Sequence, residues 1–122
     1  MSAAVAWKER LRVLLRDGMK ARDSVRVSVA RTAIAAIERA EAVGVASVST
    51  GVASSVIAGA VSGLGAGEVE RRALSEGEVR GVLEGELAER RAAVAQLEAV
   101  GRLSEVAGLR AQCEVLVALL AA

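Results

Sequence analysis

Apolar residues recur at helical spacing in four stretches of the chain, with charged positions on the opposite faces. In residues 4–20, Trp7, Leu11, Leu14, Leu15 and Met19 follow one another at intervals of four, three, one and four, which is one side of an α-helix. A second helix is expected from 24 to 43. Asp23 and Ser24 are favoured N-cap types, Val27, Ala30, Ile34 and Ile37 supply the buried side, and Gly44 offers a stop. A third is expected over 76–100, because Ser75 with Glu78 three residues later forms a capping box that satisfies orphan amides at a helix start. After a hinge at Gly101-Arg102, the fourth covers 104–120. There Val106, Leu109, Cys113, Leu116, Val117 and Leu120 define one buried stripe.

This pattern predicts an all-α, antiparallel bundle of about four helices in one domain, 1–122. It divides into a hairpin over 4–43, a linker over 44–67 and a hairpin over 75–120. The expected core includes Leu11, Leu14, Leu15, Ile34, Ile37, Leu83, Leu87, Leu97, Leu109 and Leu116.

The linker follows neither a helical nor a strand period. It carries no charge and contains six Gly, five Ser and one Thr. One short helical turn is expected near 54–60. Half of its positions are not strongly apolar, so it does not read as a membrane span, which needs about 20 predominantly apolar residues. The N-terminus lacks a basic segment followed by an apolar run, so secretion is not expected and a cytoplasmic location is. Gly77, Gly81 and Gly85 recur every fourth residue, which reads either as a row for close helix contact or as drift in a GC-rich genome.

Composition narrows the chemistry. The chain has no His, Pro, Phe or Tyr, one Trp and one Cys. Its core is therefore Ala, Val and Leu, and no imidazole serves as general base or metal ligand. A single Cys forms no intramolecular disulfide, as suits a reducing compartment. Because Cys113 lies on the apolar stripe, it reads as an inert buried thiol. Net charge is +1, but residues 1–43 hold nine basic and five acidic side chains, and residues 68–122 hold seven and ten.

Two polar groupings carry the functional expectations. Lys8, Arg12, Arg16 and Lys20 form a stripe at every fourth position, suited either to RNA phosphates or to a solvated helix face. No aromatic is interleaved for base stacking, since Trp7 is on the core side. Arg31, Glu41, Glu86 and Arg90 flank the buried sides of the second and third helices. They read as one ion-pair network fixing helix register, or else as an anion site. Ser75 is explained by its cap. Glu84, Glu86 and Glu89 point to different helix faces, and Gly63-x-Gly65-x-Gly67 has neither the preceding strand nor the Lys-Ser/Thr of a phosphate loop. No cofactor and no metal are expected.

Several segments in order resemble the YqeY-like family, relatives of the tail domain of the GatB subunit of tRNA-dependent amidotransferase. They are Met19-Lys20-Ala21-Arg22-Asp23 with Arg26, Ser28 and Arg31, then Ala35-Ala36-Ile37 and Ala40-Glu41. Arg71-Arg72-x-Leu74-Ser75 with Glu78-Val79 follows, and last come Gln96-x-Glu98 and Gly101-Arg102. Residues 58–65 look like an insertion seen in actinobacterial versions. The chain stops two residues after Leu120, so the family's second, smaller C-terminal subdomain is expected to be absent. Leu stands at Leu97 and at Leu119, where family members commonly carry an aromatic.

The resemblance implies an accessory helical module in tRNA-dependent amidation, a carbon–nitrogen ligase setting with glutamine as amide donor. The implied partners are tRNA or an amidotransferase-like complex, with the donor chemistry on other subunits. The alternative is a non-catalytic protein-interaction module with no nucleic-acid role. An autonomous enzyme would have to work without His, a reactive Cys or a metal constellation.

Overall fold

Four helices and no strand make up the described residues, 2–42 and 72–122, of the computed structural model. Helix α1 is Ala3–Lys20, α2 runs over 24–42, α3 is Glu76–Ala99 and α4 is Leu103–Ala121. The bundle is all-α, as the hydrophobic periods predict. The linker, the turn near 54–60 and the stop at Gly44 lie outside the described residues.

Three of the four helices begin at a side-chain cap. The Ser2 hydroxyl accepts from the Val5 amide at the start of α1. Asp23 Oδ1 accepts from the amides of Val25 and Arg26, which makes Asp23 the cap of α2. The Ser75–Glu78 capping box is complete, with the Ser75 hydroxyl accepting from the Glu78 amide at 3.1 Å and the Glu78 carboxylate accepting from the Ser75 amide at 3.0 Å. Those bonds to Ser75, aided by the Arg72 guanidinium, hold the Glu78 carboxyl below the ordinary carboxylate value despite some desolvation.

Both hairpin turns are closed by the same paired hydrogen bonds, in which the amides after the helix reach back to its last-turn carbonyls. In the α3–α4 turn, Gly101 donates to the Glu98 carbonyl and Arg102 to that of Leu97, at 3.1 and 2.9 Å. Gly101 has φ +74°, a left-handed conformation that glycine adopts without a Cβ clash. In the α1–α2 turn, Arg22 donates to Met19 at 3.2 Å and Asp23 to Gly18 at 2.8 Å, and here the left-handed residue is Arg22, φ +55°.

Short turns make α1 antiparallel to α2 and α3 antiparallel to α4. The starts of α1 and α3, residue 41 of α2 and the end of α4 thus meet at one end of the bundle. The main core lies there: Ala4, Trp7, Leu11, Ala33, Ile37, Leu74, Val79 and Leu83. A second cluster of Val29, Leu87 and Leu116 joins α2, α3 and α4 without a contribution from α1. Of the ten expected core residues, Leu11, Ile37, Leu83, Leu87 and Leu116 are buried and the other five half-buried.

Three apolar or glycine expectations are corrected by the packing. Met19 and Val117 are exposed, at 56% and 43%, and each sits at the margin of its apolar stripe. A Cβ added at Gly81 or Gly85 would meet nothing within 4 Å, so the glycine row faces open space. The close approach is at Gly18 instead, whose added Cβ would lie 3.0 Å from Arg26 Cβ and 3.2 Å from the Val27 backbone nitrogen.

Candidate functional site

The basic stripe of α1 does not stay on one face. Four residues advance an α-helix by about 400° rather than 360°, so successive members step away from the core. Lys8 is at the inner edge, where its ammonium pairs with Glu41 at 2.8 Å and both side chains are about nine-tenths buried. It therefore ties α1 to α2 and is removed from any phosphate track. Arg12 is exposed and contacts Glu9 at 3.3 Å. Arg16 and Lys20 are exposed, and no ion pair among the described residues includes either.

Trp7 lies deep at the converging end. Its indole Nε1 donates to both Glu76 carboxylate oxygens, at 3.0 and 3.1 Å. The Arg10 guanidinium stacks over its ring at 4.0 Å from the centroid, and that of Arg80 lies at 5.5 Å. The same two arginines reach the last turn of α4, Arg10 donating to the Leu119 carbonyl at 3.2 Å and Arg80 to that of Leu120 at 2.8 Å. Positive charge on helix-end carbonyls also complements the α4 dipole. Sequence reading missed this clamp, although Trp7/Arg10 at i,i+3 and Glu76/Arg80 at i,i+4 are its local signals.

The four residues read as a single network separate. Glu41 belongs to the Lys8 pair. Arg90 and Glu86 pair at 3.1 Å with side chains 11% and 13% exposed. Arg90 also donates to Gln112 Oε1 at 2.9 Å and to Thr32 Oγ1 at 2.7 Å, so one guanidinium ties α2, α3 and α4 together. Arg31 is exposed and takes no part in either group. It follows Ala30 by one residue, about 100° around the helix and away from the core. Thr32 and Gln112 carried no signal in the sequence, since neutral partners are visible only once helices are packed.

Little else has the makings of a reactive group. The Ser75 hydroxyl is engaged in its cap. Cys113 is half-buried and packs against the Val29, Leu87 and Leu116 cluster. No cluster of three or more His, Cys, Asp or Glu suited to a metal ion occurs among the described residues. No described helix is long and apolar enough to cross a membrane. No buried side-chain nitrogen or oxygen among the described residues lacks a hydrogen-bond partner. Compared with known protein families, curated proteins and solved structures, the chain matches none.

Proposed function

We propose that this chain is a helical module without reaction chemistry of its own that contacts tRNA in a tRNA-dependent amidation setting. The setting comes from the resemblance to the YqeY-like family. The supporting observation is the outer face of α1, where Arg12, Arg16 and Lys20 stand exposed while Lys8 and Arg90 are held in inter-helix pairs. Exposed guanidinium and ammonium groups one helical turn apart suit contact with successive phosphates. In this reading amide transfer belongs to partner subunits.

The test is tRNA binding as a function of salt. Affinity is expected to fall by about one log unit per tenfold rise in salt for each phosphate neutralised. Changing Arg12, Arg16 and Lys20 together to Glu is expected to abolish binding and leave helicity unchanged. Lys8 is kept intact because its pair with Glu41 supports the fold. Undiminished binding by the triple variant would remove α1 from the RNA surface.

One observation favours the protein-interaction alternative. Val100 and Leu103, 68% and 65% exposed, flank the α3–α4 turn as an apolar tip. A native-lysate pull-down that retains its protein partner after ribonuclease, together with absence of tRNA binding at low salt, would support that reading over the first.

A further inference from the structure

The two hairpin turns use the same backbone device with different residues at its left-handed position, Gly101 in one and Arg22 in the other. For an L-residue with a Cβ this conformation is unfavourable, and glycine is its usual occupant. Nothing in the backbone of the α1–α2 turn calls for Arg22. The turn is closed by amide-to-carbonyl bonds of 3.2 and 2.8 Å, and Asp23 caps the next helix with its own carboxylate. The Arg22 side chain is exposed and forms no hydrogen bond or ion pair among the described residues. Non-glycine residues held in such a left-handed conformation cluster at active sites, ligand clamps and switch regions.

The charge around this turn points the same way. Lys8, Arg12, Arg26, Arg72, Arg80, Arg90, Arg102 and Arg110 each have a carboxylate partner. Arg10, Arg16, Lys20, Arg22, Arg31, Arg39 and Arg91 have none among the described residues, and of these Arg16, Lys20 and Arg22 fall within seven positions at the end of α1. Asp17, also exposed, pairs with none of them. Asp23, the other nearby carboxylate, is committed to the α2 cap and to Arg26 at 3.3 Å.

We infer that Arg22 is a phosphate-contacting residue, extending the Arg16/Lys20 edge of α1 around the turn to follow an RNA backbone. This inference rests on the tRNA reading above. A cation at a helix C-terminus also interacts favourably with the helix dipole, and that purely structural role makes the opposite prediction for stability.

The experiment compares the full chain with its Arg22→Gly and Arg22→Lys variants, using an unmodified tRNA transcript across a salt series and thermal unfolding in parallel. Arg22→Gly is expected to raise Tm by about 2–5 °C and yet weaken tRNA binding. Its slope of log affinity against log salt should be shallower by about 0.7–0.9. Arg22→Lys is expected to keep the parental slope. A lowered Tm in Arg22→Gly with unchanged tRNA affinity would show Arg22 to be a structural helix-end cation and overturn the inference. Parental affinity and slope in Arg22→Gly, whatever its Tm, would overturn it while leaving the tRNA reading intact. If the parent chain binds no tRNA at low salt, both readings fall. If it instead binds phosphatidylserine vesicles, the occupant is a lipid surface and the inference is equally overturned.

Discussion

At the Trp7 end of the bundle all four helices converge, whereas at the Gly101 end α3 and α4 pack chiefly on each other. The difference begins with length. Helix α3 has 24 residues and α1 has 18, so at about 1.5 Å per residue α3 is longer by roughly 9 Å. The buried residues of α3 are Val79, Leu83 and Leu87, all in its first half. Beyond them Val94 and Leu97 are only half-buried, and across the turn Val106 is buried while Leu109 is not. Similar apolar spacing therefore yields a closed core where four helices meet and a half-open seam where two do. Periodicity sets which face turns inward, and the number of neighbours sets how far it is buried.

Core truncation should separate the two ends most strongly. Trp7→Ala removes the central side chain of the closed end together with its Glu76 hydrogen bonds and its arginine stack, and is expected to cost about 3–5 kcal/mol. Leu109→Ala in the seam is expected to cost about 1 kcal/mol, since that side chain is only partly buried. Urea unfolding of both variants gives the comparison, and equal losses would break it.

The buried ionic groups come next. Arg90→Ala leaves Glu86 without its partner and Thr32 and Gln112 without their donor, an expected loss of about 3 kcal/mol. Arg31→Ala should lie within about 0.5 kcal/mol of the parent, as exposed sites usually do. These values, read from chemical denaturation, also establish whether the Arg90 hub belongs energetically with the closed end.

Helix caps and glycines provide smaller effects. Ser75→Ala is expected to cost about 1 kcal/mol. The Glu78 carboxyl is held below its ordinary value in the folded chain, so its contribution is complete above the unfolded value. It is lost as pH falls through the folded one. Glu78→Gln should therefore flatten the acid limb of the stability–pH curve and leave its neutral and alkaline shape unchanged. Gly81→Ala and Gly85→Ala should each stabilise by up to about 1 kcal/mol, while Gly18→Ala should destabilise against Arg26 Cβ and the Val27 side chain and backbone nitrogen. Thermal unfolding of the three glycine variants distinguishes the open row from the crossing point.

These contrasts also define how much was legible beforehand. Helix limits were readable to within one or two residues where caps mark them, as Asp23, Ser75 and Gly101 do, because capping is a local property. Trp7, Leu11, Ile37 and Leu83 could be placed in the core because they sit at the centre of their apolar faces. Met19 and Val117 sit at stripe margins, where exposure depends on how far a neighbouring helix extends. Lys8 looked like the first step of a solvated stripe, since a four-residue repeat does not reveal its own drift around the helix. The separation of Arg31 and Glu41 from Arg90 and Glu86 depends on relative helix placement, as does the recruitment of Thr32 and Gln112. Gly18 gave no periodic signal, whereas Gly77, Gly81 and Gly85 gave one with no packing counterpart.

Native-state hydrogen exchange tests the contrast between the two ends most directly. Amides are expected to differ in opening free energy according to the end at which they lie, because local unfolding follows the density of buried contacts. Amides of residues 7–16 and 79–88 should exchange only through global unfolding, with opening free energies that fall with urea as the whole chain does. Those of residues 95–108 should open by a separate, less costly and nearly urea-independent route. A single opening free energy and a single urea slope across both ends would contradict the account, showing that the half-open seam folds as one unit with the Trp7 core.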